Sequence, residues 1–499
     1  MGNKVNIIGA GIAGLCTGCY LQMNGYDTEI FELHDKPGGL STSWKRNGYV
    51  IEGCLHWLVG SSPSDSFYDL WNELVDMQKI RFFEYQEFIR VEDKDGNFLR
   101  VLSDVDELKR ELLKKAPEDK DMIIELTDAI KKLSTFNMPI DKAPETANLL
   151  DGLIMMTKFL PNLRAFKKWS SISGEDYAKK LKNPLLKRMI RHLGLPGMAM
   201  LFLIMTLAWL NKKSAGYPLG GSLPFIRLVE KRYLDLGGKV HYKSRVKYIL
   251  TENDVAKGIE LENGQAYYSD LVISAADGHS TIFEMLKGKY VDDEVRDYYN
   301  NYETFPSFLQ VSLGVSRTFE KEPPYLVVPL PQPLKIDPSA TYKEIGVRIF
   351  NFDPTLAPEG KTLLTAMLPT EEYNYWDHLK KNNPDRYRQE KDRIAQAIID
   401  ALDQRYGDLR AKIEMIDVST PFTVMRYTNN WKGSFEGWLL TPRMGLRRMK
   451  KVLPGLKQFY MAGQWVEPGG GLPGGLLSGR NVTQFICKKD GKRFTTTTL

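Results

Sequence analysis

Three glycines, Gly9, Gly11 and Gly14, stand in the spacing GxGxxG, and an acid, Glu32, follows 18 positions after the last of them. That set can hold a pyrophosphate and a ribose. Gly9 permits a tight turn, Gly11 lets the backbone approach phosphate, and Gly14 lets a helix pack closely on a strand. Glu32 can accept hydrogen bonds from ribose hydroxyls. A second glycine pair, Gly38-Gly39, precedes Ser41, Thr42 and Ser43, which adds backbone and hydroxyl donors to the same region. Near the C-terminus Gly469, Gly471 and Gly474 repeat the spacing, but Pro473 interrupts it and no strand ending in an acid follows. That stretch is better read as a glycine-rich helix start, whose free N–H groups stabilise negative charge. Cys16 and Cys19 form a CxxC inside the first helix, where small packing residues are expected rather than metal or redox chemistry. The six histidines are scattered, and the chain shows no Ser-His-acid signature, zinc spacing or P-loop.

The elements around the first motif fit its use. Val5, Asn6, Ile7 and Ile8 read as a short buried strand, and Ile12, Leu15, Cys19 and Leu21 recur at helical spacing. Gly25-Tyr26 ends that helix, and Thr28 to Phe31 forms a second strand that delivers Glu32. Strand, glycine turn, helix, strand and terminal acid together define a dinucleotide-binding βαβ unit.

Glu32 followed by Pro37-Gly38-Gly39-Leu40-Ser41-Thr42-Ser43-Trp44 resembles the extended signature of FAD enzymes of the amine oxidase and phytoene desaturase superfamily. The segment Gly48 to Gly60, with Cys54-Leu55-His56-Trp57 in it, is similar to the phytoene desaturase and retinol saturase branch. The closing stretch, from Phe459-Tyr460-Met461-Ala462-Gly463-Gln464-Trp465 through Pro468 to Gly475, resembles the same family's return to the flavin. The resemblance covers both ends of the chain and a middle segment. It implies an FAD-dependent oxidoreductase that moves a hydride between flavin N5 and a C–C or C=C bond of a long apolar isoprenoid or polyene. Desaturation, saturation and cis–trans isomerisation all fit. A flavin amine oxidase, or a lipid-binding flavoprotein without catalysis, is the alternative.

The resemblance also implies roles for residues. Val246 faces the adenine through its backbone, Ala275 sits at a strand end near the dinucleotide, and Gln464 replaces an acid often found there. The cofactor-binding set is then Gly9, Gly11, Ile12, Ala13, Gly14, Glu32, Leu33, Gly38, Gly39, Leu40, Ser41, Val246, Ala275, Gly463, Gln464, Gly471, Leu472 and Pro473, with no metal ligand. His56 is the catalytic candidate, a proton donor near its ordinary pKa if a double bond is reduced, or else a structural anchor. Glu52 is expected to fix a loop rather than act as a base, and Trp57 to wall the pocket. One FAD per chain is expected. Its electrons would come from or go to a diffusible partner such as a quinone, oxygen or NAD(P)H.

The fold class expected is α/β: a Rossmann-like FAD-binding domain with a discontinuous α+β substrate domain. The FAD-binding part takes residues 1–63, 214–285 and 426–499, and the substrate part takes 64–213, mainly helical, and 286–425, mainly sheet. The pattern predicts helices over Asp106–Lys115, Asp119–Leu133 and Pro384–Tyr406, a closing helix from about Leu476, and a loose tail over Thr495–Thr498. A net charge of +6, from 68 basic and 62 acidic residues, gives no nucleic-acid signature but permits contact with an anionic membrane surface. Gly194 to Leu210 carries no charge; it is expected as a buried helix, or as a greasy face fringed by Lys212 and Lys213, and is marginal for a span. Few cysteines and a first strand that begins next to Met1 point to the cytoplasm, with membrane association possible at the surface.

Overall fold

The structure, a computed structural model, describes residues 3–445 and 447–499. Its first framework is a five-stranded parallel sheet in the order Lys239–His241, Asp27–Phe31, Lys4–Ile8, Leu271–Ser274, Phe459–Met461. Lys4–Ile8 is the central strand, with Ile8 opposite Phe31 on one side and Ser274 on the other. Central parallel strands are covered on both faces, which is why Val5, Ile7 and Ile8 are all buried and even Asn6 between them is shielded.

Ile12–Met23 follows the central strand as a helix buried on nearly all sides, and it therefore lacks a polar face. Glycines let its neighbours come close. A Cβ at Gly18 would meet the Tyr233 ring at 2.6 Å, on the helix Ser222–Asp235. A Cβ at Gly479 would meet the Thr17 backbone nitrogen at 2.7 Å, on the closing helix Gly471–Lys489. Residues from the two ends of the chain thus share one backbone-to-backbone contact.

The second framework is a seven-stranded sheet in the order Ile413–Ser419, Ser307–Val315, Thr362–Thr370, Thr341–Ile349, Tyr325–Lys335, Glu87–Glu92, Phe98–Leu102. It is antiparallel except where Tyr325–Lys335 runs parallel to Glu87–Glu92. Its apolar rows, with Leu309, Val311 and Leu313 among them, pack on the helix Pro384–Tyr406. A helical layer that includes Val105–Lys115, Lys120–Leu133 and Met200–Asn211 closes the remaining side. It is tied to the closing helix by the buried pair Arg480–Glu73, 3.0 Å apart.

Four expectations need correction. The apolar helix begins at Met200, not Gly194, because Pro196 and Gly197 (φ +83°) hold the preceding chain outside helical geometry. That helix is buried along most of its length, so it offers no greasy surface. The closing helix starts at Gly471, one turn or more before Leu476. The C-terminal tail is docked: the Thr495 amide donates to Asn24 Oδ1 (2.8 Å) and the Leu499 amide to the Asn72 carbonyl (3.0 Å). Among the described residues no helix is long and apolar enough to cross a membrane.

The helix contact gives a test. Gly479→Leu must push the closing helix off Thr17, and overpacking of this kind costs about 1–3 kcal/mol. Its thermal midpoint should fall below that of the parent. Gly152→Ala, where a Cβ meets nothing within 4 Å, should not lower it.

Candidate active site

The glycine turn builds a groove at the C-terminal edge of the parallel sheet. Gly9 adopts φ +96°, and its amide donates to the Phe31 carbonyl at 2.8 Å, which locks the turn to the second strand. A Cβ at Gly14 would lie 1.9 Å from the Gly9 carbonyl oxygen, so no side chain fits there. Gly14 therefore acts behind the groove, as packing, and does not line it. Gly11 differs: its φ of −69° suits any residue, and a Cβ there would meet only the Gly38 carbonyl oxygen, at 3.9 Å. The space beside Gly11 is open to a ligand. Gly38 (φ +118°) and Gly39 (φ +60°) turn the following loop back so that Gly38 bridges to Gly11.

The groove has a volume of about 460 Å³. Gly11, Ile12 and Ala13 at one helix N-terminus and Gly471, Leu472 and Gly475 at another both line it. Two positive dipole ends thus face one space, which suits a pyrophosphate. Leu33, Gly39, Leu40, Ser41, Val246, Ala275, Gly463 and Gln464 complete the wall. Glu32 accepts from the Ala10 amide (2.7 Å) and the His34 amide (2.8 Å), which fixes its carboxylate at the groove's edge. Burial raises its pKa, and those amides oppose the rise. The Ser41 and Thr42 hydroxyls are buried without a hydrogen-bond partner. Orphaned hydroxyls, open space at Gly11 and paired helix ends all fit FAD, and the residues just named would hold it.

The groove opens into a second cavity of about 1850 Å³, far larger than an ordinary small-molecule pocket of roughly 300–1,000 Å³. Leu40, Cys54, Phe435, Glu436 and Leu472 border both spaces. Beyond them the walls are mostly apolar, with Trp57, Phe88, Leu203, Met367 and Leu439 among them. Pro473 faces this cavity rather than the groove. The seven-stranded sheet forms one side, and the chain between Gly194 and Thr206 another.

His56 also lines the large cavity, and its carbonyl accepts from Tyr85 Oη at 2.6 Å. Burial, reinforced by the Arg348 charge, pushes its imidazole well below the ordinary value. The expectation of a histidine near its normal pKa is therefore not met: at neutral pH the ring is uncharged and is no acid. Glu52 fixes the loop as expected, accepting from the amides of Cys54 (2.8 Å), Leu55 (2.9 Å) and Ser222 (2.8 Å). Burial holds the Cys16 thiol well above its ordinary value, so it packs and does not react.

Sequence reasoning missed Glu436. It stands at the junction of groove and cavity, where burial pushes its carboxyl up to about 8, against the opposing Gly471 amide. It is protonated at neutral pH and can carry a proton. No motif marks it; only the fold brings Phe435-Glu436-Gly437 beside Gly471.

A two-helix dinucleotide groove that opens into a large, mostly apolar cavity is the arrangement of a dinucleotide-dependent oxidoreductase. The family model described as flavin containing amine oxidoreductase matches residues 12–487, and the chain belongs to that family. FAD is its cofactor. The chain is 25% identical over 498 residues to the chloroplastic prolycopene isomerase of Arabidopsis thaliana, covering 95% of this chain and 80% of that protein. It is 23% identical over 513 residues to a 4,4'-diapophytoene desaturase (4,4'-diapolycopene-forming) of Methylomonas sp, covering 98% and 96%. An oxidoreductase from Methanosarcina mazei shares the fold at TM-score 0.61 and 17% identity, over 96% of this chain and 100% of that one. When bound, FAD supplies a two-electron hydride donor or acceptor.

The openness at Gly11 makes a sharp test. Gly11→Val should fold with an unchanged thermal midpoint as apoprotein, yet purify without the yellow colour of bound flavin, because the side chain fills ligand space and not protein space. Full flavin occupancy in this variant would remove the turn from the binding site.

Proposed function

We propose that this enzyme oxidises, reduces or isomerises C–C and C=C bonds of a long apolar polyene or isoprenoid. The observation that carries the reading is the large apolar chamber meeting the cofactor groove at Leu40, Cys54, Glu436 and Leu472. Relatives named as phytoene desaturases and prolycopene isomerases support the same substrate class. Those names also favour it over amine oxidation, since the amine oxidases it resembles in structure share only 13–14% identity and inform the fold alone. We assign residues 1–63, 214–285 and 426–499 to the FAD-binding part and 64–213 and 286–425 to the substrate part. The electron partner is a diffusible quinone, oxygen or NAD(P)H.

In this account the chain's residues do three things. The apolar walls exclude water and hold the polyene extended against the junction. Neutral His56 offers an N–H to orient the substrate without adding charge. Glu436 gives a proton in its protonated form when a double bond is reduced, or takes one in its ionised form when a double bond is made, and general acid–base catalysis of this kind contributes about 10²–10⁴-fold.

The sign of the pH effect follows. An acid raised to about 8 is protonated below that pH and lost above it. If Glu436 donates the proton, the rate of substrate reduction should fall as pH rises through about 8, and Glu436→Gln should be slow and flat across that range while retaining FAD. A variant with wild-type rate and pH profile would remove Glu436 from catalysis. The wider reading is tested by anaerobic stopped-flow: bleaching of oxidised flavin by a dihydro-polyene, or recovery of reduced flavin by a polyene, supports it, whereas binding without a redox change would make the protein a carrier.

The surface best suited to lipid is not the run Gly194 to Leu210. The helix Leu149–Phe159 buries none of its residues, and Leu149 and Leu150 are 96% and 65% exposed. Exposed Lys158, Arg164 and Lys167 lie along the same stretch. We propose that this segment rests on anionic membranes, from which a hydrophobic substrate can enter. Flotation with anionic liposomes should recover the protein, salt should weaken the binding, and Leu150→Glu with Leu153→Glu should abolish it. Equal flotation of the variant would place the contact elsewhere.

A further inference from the structure

One group in the large cavity does not suit a hydrocarbon. Arg348 projects from the strand Thr341–Ile349 into the cavity and has no hydrogen-bond or ion-pair partner among the described residues. Three nearby cations that line the same cavity are paired: Arg188 and His192 with Glu344, and Arg191 with Glu175. The acid that acts on Arg348 is Glu52, and its carboxylate is already occupied by the amides of Cys54, Leu55 and Ser222. Arg348 is half-buried, and that burial works against its charge unless an anion faces it.

Its neighbours on the sheet point the same way. Tyr325 and Thr365 stand directly opposite Arg348 on the flanking antiparallel strands, so all three share one face. All three line the cavity. The Tyr325 ring lies 4.9 Å from the guanidinium carbon, and Gly346 leaves it room, since a Cβ there would be 1.9 Å from Tyr325 Oη. The Thr365 hydroxyl is buried and without a partner. A planar cationic fork on a face shared with two hydroxyl side chains matches a planar, singly charged oxyanion. The charged and titratable groups that act on Arg348 are Tyr85, Tyr325, Tyr217 and Glu52, with no second cation among them, which suits a singly charged anion better than a phosphate dianion.

We propose that Arg348, Tyr325 and Thr365 form a carboxylate-binding subsite, so that the substrate is a long apolar chain ending in an acid. This rests on the polyene reading above and narrows it. The subsite would fix which end of the chain enters first, and hence which bond reaches the junction at Glu436. A bound acid would also oppose the Arg348 field, which reinforces burial in keeping the His56 imidazole neutral.

The test uses the FAD-loaded enzyme and a matched set of polyenes of one chain length: acid, primary alcohol, phosphate ester and hydrocarbon. Dissociation constants come from quenching of tryptophan fluorescence, since Trp57 lines the cavity. The acid should bind more tightly than the alcohol and hydrocarbon. Arg348→Met should weaken acid binding by roughly ten- to a hundred-fold, the usual consequence of losing a hydrogen bond to a charged group, and leave the hydrocarbon unchanged. Arg348→Lys should recover part of the preference, and Thr365→Val should lose a smaller part. Flavin content reports folding in each variant. Equal binding of acid and hydrocarbon by the parent, an acid preference that survives Arg348→Met, or a preference for the phosphate ester would each overturn the subsite. If the hydrocarbon drives flavin redox change while the acid gains nothing, the proposed function stands and the subsite falls. If no polyene binds, both fall.

Discussion

The position of the Gly9 carbonyl sets the rest of the structure. It occupies the space where any residue but glycine at position 14 would put its Cβ, 1.9 Å away. That contact lets the first helix begin directly against the central strand, with its N-terminus aimed along the sheet edge. The closing helix then uses Gly475 and Gly479 to lie against the first, where Cβ atoms would sit 2.4 Å from Ile12 Cγ2 and 2.7 Å from the Thr17 nitrogen. Only this double approach brings two helix N-termini to one groove. It also carries Gly471 and Leu472 to the mouth of the large cavity, beside Glu436.

From that junction the chemistry follows by exclusion of water. An apolar chamber raises the pKa of a carboxyl and lowers that of an imidazole, because burial disfavours whichever form is charged. Glu436 and His56 are pushed in opposite directions by this one cause. Both end uncharged at neutral pH, which suits a greasy substrate, and only Glu436 keeps a proton that it can release as an acid. Arg348 is the exception that remains charged, and the sheet sets it between Tyr325 and Thr365 rather than beside a carboxylate.

The cofactor half of this arrangement was legible in the sequence because its constraints are local. Gly9, Gly11, Gly14 and Glu32 act within one βαβ unit, and their spacing states their roles. Ile12, Ala13, Leu33, Gly38 to Ser41, Val246, Ala275, Gly463, Gln464, Gly471 and Leu472 all reach the groove wall. Gly14 and Pro473 do not, since the first packs behind it and the second turns toward the cavity. The substrate half was less legible because it depends on long-range pairing. Tyr325, Arg348 and Thr365 are separated along the chain and meet only through strand register. Glu436 gains its properties from burial, which composition does not reveal. The uncharged run Gly194 to Leu210 fitted either a buried helix or a greasy face, and the fold buries most of it; the mostly apolar run Leu149 to Leu163 fitted a wall or a surface helix, and Leu149, Leu150, Leu160 and Leu163 are exposed.

The central claim is that groove and cavity are one continuous site with the flavin at their meeting point. A crystal structure of the FAD-loaded protein tests it most directly. The account predicts that the dinucleotide runs from Val246 past Gly11 and that the flavin ring is bordered by Leu40, Cys54, Glu436 and Leu472, with one side open to the large cavity. A ring turned away from that cavity, or walled off from it by protein, would contradict the account.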